Sequence, residues 1–111
     1  MKDMKKVFIS QPMAGKSDEQ ILRERQRAVS YLRDSYGEIE IIDSFFRGAP
    51  HSAKPLWFLG KSLELLADAD VAYFCDGWED ARGCKIEHDA ALAYGVPEVI
   101  SIIDHGKERK A

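Results

Sequence analysis

Residues 71–103, VAYFCDGWEDARGCKIEHDAALAYGVPEVISII, decide the fold of this 111-residue chain. The first five are apolar throughout, as expected for a strand that is covered on both faces of a parallel sheet. The stretch predicts, in order, a strand at 71–75, a loop at 76–81, a helix at 82–94 that Gly95 and Pro97 end, and a strand at 99–103. A strand-helix-strand unit of this kind joins parallel strands.

The residues upstream repeat the alternation of strands and helices. Val7-Phe8-Ile9 predicts a short buried strand, and Pro12 and Gly15 mark the following residues as a loop. Ser17 and Gln20 have the spacing of a capping box, which marks a helix start. The elements predicted after that loop are a helix at about 18–35, a strand at 38–43, a long loop at 44–54 and a helix from 55 to about 68.

Each predicted helix has one apolar or small face, which we expect to be buried. The three faces are Ile21, Arg25, Ala28, Val29 and Leu32 in the first helix, Leu56, Leu59, Leu63 and Leu66 in the second, and Gly83, Glu87, Ala90, Ala91 and Tyr94 in the third.

This order of elements predicts the fold class. Strands that alternate with helices form a parallel sheet with right-handed crossovers. We expect a single α/β domain over residues 1–111, a flavodoxin- or Rossmann-like three-layer sandwich whose four- to five-stranded parallel sheet has the order 2-1-3-4. Ligands of such sheets bind at the carboxyl ends of the strands where the winding reverses, which here means residues 11–16 and 76–83.

The composition excludes several classes of protein. With 45% hydrophobic and 32% charged residues, the chain is neither disordered nor fibrous. It has no apolar run long enough for a membrane span and no signal-peptide core, so we expect a cytoplasmic protein with no membrane partner. The formal net charge of -3 argues against a nucleic acid polymer as partner. Two cysteines without a secretory segment agree with a reducing compartment.

Glu87 is the most informative single residue. Its position on the inward face of the third helix predicts a buried carboxylate near a helix start. Burial raises a carboxyl pKa and the helix N-terminus lowers it, so such a site suits a nucleophile or a hydrogen-bond acceptor. The structural alternative is that Glu87 only complements the helix dipole, as glutamates in a first or second turn commonly do.

Other candidates are weaker. The loop from Ser10 to Lys16 ends at a helix N-terminus, where amides attract anions, although it lacks the Walker spacing and is equally consistent with a plain turn. Trp78 is a candidate surface for stacking a nucleobase, or else a core residue. Phe45, Phe46 and Trp57 are weaker candidates for the same role. Arg25 is expected to lie along the core and His88 to face outward. The cysteines and histidines have no metal-ligand spacing, so no metal site is expected.

The stretch ADADVAYFCDGWEDARGCKIEHDAALAYGVP, residues 67–97, resembles the nucleoside 2-deoxyribosyltransferase-like superfamily, and within it a small uncharacterised branch frequent in phages and prophages. The shared signature is an Ala-Asp entry to the strand, a Gly-Trp loop, Gly-x-x-x-Glu, and an Ala-rich helix that ends in Gly-x-Pro. The opening residues VFISQPMAGK, 7–16, are similar to the same branch.

The resemblance implies cleavage or transfer of the N-glycosidic bond of a nucleoside or nucleoside 5'-phosphate, without a cofactor. It implies that Glu87 attacks the anomeric carbon, with Ser62 as the second catalytic position. The substrate-binding positions that it implies are Ser10, Gln11, Pro12, Met13 and Gly15 near phosphate and ribose, Trp78 with Gly77 at the base, and Arg82 and Gly83 beneath the anomeric carbon. Asp43 and Asp76 are further candidate acids of this chain at the same site.

Two departures from the family pattern keep a second function open. Enzymatic members usually carry an Asp eight residues before the strand-entry Asp, and that position is Ser62 here, which cannot act as a carboxylic acid. The usual Tyr of the first loop is also absent. The alternative is therefore a nucleotide-binding or regulatory module that does not turn over its ligand. In both cases we expect a homodimer or higher homo-oligomer, since so small an open sheet leaves helix surface that the resembling family usually buries between subunits.

Overall fold

A computed structural model describes residues 4–42 and 52–100 of the chain. The elements are β1 (Lys5–Ser10), α1 (Asp18–Tyr36), β2 (Ile39–Ile42), α2 (Pro55–Leu66), β3 (Val71–Phe74), a short 3-10 helix (Trp78–Asp80), α3 (Arg82–Tyr94) and β4 (Glu98–Ile100). The predicted elements are all present, with ends that differ by one or two residues. Most of the predicted loop at 44–54, and the predicted strand residues Asp43 and 101–103, lie outside the described residues.

The four strands form one parallel sheet in the order β2-β1-β3-β4, which confirms the predicted fold class. β1 lies in the centre, with Val7 beside Val71 and Ser10 beside Phe74. Asp70, directly before β3, fixes this register, because its carboxylate accepts a hydrogen bond of 2.8 Å from the Lys6 amide while its own amide donates to the Lys6 carbonyl. The ladder continues past β3, where the Cys75 amide donates to the Ser10 carbonyl.

Alternate residues of the central strands face two separate cores. Val7 and Ile9 of β1 pack with Ala28 and Leu32 of α1 on one side of the sheet. Phe8 packs on the other side with residues from β3, α2 and α3, namely Ala72, Phe74, Leu66 and Ala91. The molecule thus has three layers, and the parity of each strand residue decides which helix layer it meets.

The helix faces are correct for α1 and partly wrong for α2 and α3. Ile21, Arg25, Ala28 and Leu32 are buried as predicted. In α2, however, Leu56 is 75% exposed, because the first turn extends past the carboxyl edge of the sheet. In α3 the buried residues are Cys84, Glu87 and Ala91, while Tyr94 is 87% exposed. The inward stripe of α3 starts at Cys84 because Gly83 has no side chain to bury.

Within residues 4–42 and 52–100, no helix combines the length and the apolar character that crossing a membrane requires.

The three-layer packing predicts where truncations destabilise the fold. Leu32→Ala removes a fully buried side chain of α1 and should lower the free energy of unfolding by about 2–5 kcal/mol, since a cavity remains. Leu92→Ala, at a leucine of α3 that is 62% exposed, is the matched control and should change it by less than about 1 kcal/mol. Urea unfolding measures both values, and equal losses would contradict this assignment of the core.

Candidate active site

A cavity of about 850 Å³ opens at the carboxyl end of β1, between the loop that follows β1 and the first turns of α2 and α3. Its volume lies in the range of small-molecule binding sites. The residues that line it are Phe8, Ile9, Gln11, Pro12, Met13, Ala14, Lys54, Pro55, Leu56, Phe58, Leu59, Ser62, Asp80, Ala81, Arg82, Gly83, Cys84, Ile86 and Glu87. The wall is therefore mainly apolar, with a few polar groups, as in most ligand sites.

Glu87 lies in this wall and is only 7% exposed. Its Oε1 atom accepts a hydrogen bond of 2.6 Å from the Ser10 hydroxyl, and the Ser62 hydroxyl also hydrogen-bonds the carboxylate. Burial raises the pKa of the Glu87 carboxyl above its ordinary value of 4.5, and these two hydrogen bonds oppose the rise. Glu87 is therefore held in the cavity wall by hydroxyl groups from two other elements.

The strand and helix periods explain why these side chains meet. Ser10 follows Phe8 by two residues on β1, so it faces the α2 and α3 layer at the end of the strand. Glu87 and Ser62 are both buried on the inward faces of their helices. Ser62 thus lies directly at the predicted nucleophile.

Gln11 has the opposite parity and turns toward α1. Its Nε2 donates to the Ile21 carbonyl at 2.6 Å, and its Oε1 accepts from Arg25 at 3.2 Å. Arg25 is buried, as predicted, and also donates to the Ile42 carbonyl at the end of β2. Gln11 lines the cavity, but its amide group is engaged by α1.

The loop after β1 contributes Pro12 and Met13 to the cavity, whereas Gly15 is not among the lining residues. The capping box at Ser17 and Gln20 is formed, and each side chain accepts a hydrogen bond from the other residue's backbone amide. α2 and α3, by contrast, begin without a side-chain cap hydrogen bond, and both begin at the cavity. The helix ends at the cavity are therefore those of α2 and α3, beside the cationic side chains of Lys54 and Arg82.

The loop after β3 differs most from expectation. Trp78 lies outside the lining residues and stacks on His88 at 4.3 Å between ring centroids, with Phe74 at 5.7 Å. His88 was expected to face outward, but its side chain is largely buried and its Nε2 lies 3.2 Å from Glu98 of β4. The prediction for His88 is wrong because β4 places a carboxylate opposite that face of α3.

The remaining predicted residues divide into three groups. Arg82 and Gly83 line the cavity, as do Ser62 and Glu87. Gly77 and Asp76 do not line the cavity. Gly77 lies against Pro12 and has a φ of +90°, a backbone conformation that favours glycine. Asp43 lies outside the described residues.

Sequence reasoning missed the wall that α2 provides and the thiol of Cys84. One face of α2 carries Pro55, Phe58, Leu59 and Ser62. The helical spacing of the three upstream residues from Ser62 is therefore a sequence signal that predicts this wall. Cys84 precedes Glu87 by three residues, a helical spacing that is the signal for their proximity. Among the residues that the structure describes, no group of three His, Cys, Asp or Glu side chains could hold a metal ion.

Comparisons with protein-family models, with curated proteins and with solved structures find no match to this chain.

The environment of Glu87 predicts a pH-dependent stability. Because its pKa is raised in the folded state, the carboxyl destabilises the fold increasingly as the pH rises above 4.5 and through the folded-state pKa. Glu87→Gln removes that ionisation, so its melting temperature should exceed that of the wild type by a margin that grows between about pH 4 and neutral pH. Glu64→Gln, on the exposed side of α2, is the control for loss of one carboxylate. A margin that stays constant or shrinks as the pH rises would contradict the assignment.

Proposed function

We propose that this protein cleaves or transfers the N-glycosidic bond of a nucleoside or nucleoside 5'-phosphate, with Glu87 as the nucleophile. The observation that carries the proposal is a buried carboxylate, held by the Ser10 hydroxyl at 2.6 Å, in the wall of a cavity large enough for a nucleotide. The resemblance of residues 67–97 and 7–16 to the nucleoside 2-deoxyribosyltransferase-like superfamily agrees with the same residue in the same role.

The proposed reaction has two displacement steps. A Glu87 carboxylate oxygen forms a bond to the anomeric carbon while the bond from that carbon to the base nitrogen breaks. The electron pair leaves with the nitrogen, which takes up a proton from water at the open mouth of the cavity. Water or a second base then attacks the same carbon and releases Glu87 as a carboxylate, so the configuration is retained.

The surroundings of Glu87 support this chemistry. A carboxylate that is shielded from bulk water interacts strongly with the positive charge that develops on the sugar ring in the transition state. The hydroxyls of Ser10 and Ser62 stabilise its ionised form without adding a competing charge. No metal or cofactor is needed for this step.

The cavity wall supports a division between base and phosphate. Phe58, Leu59 and Met13 offer apolar contact for a planar base, a role that Trp78 leaves to them because it stacks on His88 and does not line the cavity. Lys54 and Arg82 line the same cavity at the starts of α2 and α3, where positive charge and helix dipoles favour an anion. These two cations favour a nucleoside 5'-phosphate over an uncharged nucleoside.

We further propose that the protein acts in the cytoplasm as a homodimer or higher homo-oligomer, on a small-molecule substrate. Leu56 and Ile86 support the assembly, because both line the cavity and are nevertheless exposed in the single chain. A subunit contact at the mouth of the cavity would cover these side chains.

A second candidate function is nucleotide binding without turnover, and Ser62 favours it. A hydroxyl stands where enzymatic relatives in the resembling family have an acid, so assistance to the leaving base is weaker. Isothermal titration calorimetry with deoxynucleoside monophosphates, followed by chromatography of the sample, separates the two functions. Stoichiometric binding with intact nucleotide after hours supports the binding module, whereas free base supports the enzyme.

The catalytic proposal predicts a loss of activity on changing Glu87. Both Glu87→Ala and Glu87→Gln should lower the rate of base release from a panel of deoxynucleoside monophosphates by at least about a thousand-fold, because the nucleophile is removed. Glu64→Gln is the control and should retain the wild-type rate, since that side chain is exposed on α2. Turnover by the Glu87 variants at close to the wild-type rate would exclude Glu87 as nucleophile.

A further inference from the structure

The Glu87 carboxylate and its neighbours form a chain of polar side chains from three elements. Ser10 comes from the end of β1, Ser62 from α2, and Cys84 from the turn of α3 that precedes Glu87. Ser10 hydrogen-bonds both Glu87 and the Cys84 thiol. Ser10 therefore links a thiol to the carboxylate.

We propose that Ser10 and Cys84 are positioning residues, joined in a one-way hydrogen-bond chain from the Cys84 thiol through the Ser10 hydroxyl to Glu87 Oε1, and that Ser62 is the exchangeable partner of the same carboxylate. The role in catalysis rests on the proposed function, whereas the chain itself can be measured without a substrate.

The direction of the chain follows from the number of protons available. An ionised carboxylate only accepts hydrogen bonds, so the single hydroxyl proton of Ser10 is directed to Glu87. The Ser10 oxygen is then left as an acceptor, and the Cys84 thiol must donate to it. The 2.6 Å separation of Ser10 Oγ and Glu87 Oε1 is typical of a charge-assisted hydrogen bond.

The state of the thiol agrees with this direction. Burial raises the pKa of the Cys84 thiol to about 11; the contact with Ser10 opposes the rise, and the nearby Glu87 carboxylate adds to it. The thiol therefore keeps its proton at neutral pH and serves as a donor, not as a nucleophile.

Access to the cavity distinguishes the two serines. Ser10 is 1% exposed and does not line the cavity, so a bound ligand leaves its hydrogen bond to Glu87 in place. Ser62 does line the cavity and can turn its hydroxyl from Glu87 to a ligand. Ser10 thus holds one carboxylate oxygen throughout, while the contact with Ser62 depends on occupancy of the cavity.

The first test is a titration of the Glu87 carboxyl carbon by ¹³C NMR in the protein without ligand. Ser10→Ala should raise the pKa of Glu87 measurably, because a donor to the ionised form is lost, and Ser10→Thr should restore the wild-type value. Cys84→Val, which places an apolar side chain there and lacks a donor, should raise the pKa by less, and Cys84→Ser should not. An unchanged or lowered pKa in Ser10→Ala, or equal values for the Val and Ser variants of Cys84, would overturn the proposal.

A second measurement needs only folded wild-type protein and Cys84→Ser. The Raman S–H stretching band that is missing in Cys84→Ser belongs to Cys84 and should have the lowered frequency of a hydrogen-bonded thiol. A band at the frequency of a free thiol would overturn the chain even if the alanine variants fail to fold.

Kinetics separates failure of the chain from failure of the proposed function. If base is released, Ser10→Ala should lower kcat about 10- to 100-fold with little change in KM, and its pH profile should shift with the pKa of Glu87. Absence of base release with the expected NMR and Raman results leaves the chain intact and refutes the catalysis. Base release with an unchanged Glu87 pKa in Ser10→Ala refutes the chain alone.

Discussion

The hydrogen bond from the Ser10 hydroxyl to Glu87 joins the end of β1 to the middle of α3 across a separation of 77 residues in the chain. It places a carboxylate away from water, in the wall of a cavity, and still supplies a donor to its charged form. A buried carboxyl without such donors would remain protonated to a higher pH and be a poorer nucleophile. The proposed chemistry therefore depends on this contact more than on any other in the structure.

The contact depends in turn on the register of the sheet. Asp70 pairs with Lys6 at the start of the central strands, which sets Ser10 opposite Phe74 and extends the ladder to Cys75. Strand parity then sends Ser10 toward α3 and Gln11 toward α1, where Arg25 holds its amide. A shift of one residue would exchange these two side chains and separate Glu87 from its hydroxyl donor.

Much of this arrangement can be predicted from the sequence, and the exceptions have physical causes. Apolar runs that alternate with helical periods are enough for the strand order 2-1-3-4, because right-handed crossovers leave few topologies. The inward position of Glu87 likewise follows from helical spacing.

Leu56 and Tyr94 are exposed because they lie beyond the layer that their helices cover, which hydropathy alone does not reveal. The positions of His88 and Trp78 depend on where β4 brings Glu98, and the link between Cys84 and Ser10 depends on which face of β1 meets α3. Such long-range contacts follow from packing and not from local pattern.

The most direct test of Glu87 as a nucleophile is to look for the glycosyl ester itself. The protein would be incubated with deoxynucleoside monophosphates that it binds, quenched in acid during turnover, digested, and analysed by mass spectrometry. We predict a peptide containing Glu87 that is heavier by one deoxyribosyl phosphate, together with an equal amount of released base, and no such peptide from Glu87→Gln. Base release with an unmodified Glu87 peptide and the adduct on another residue would contradict the account.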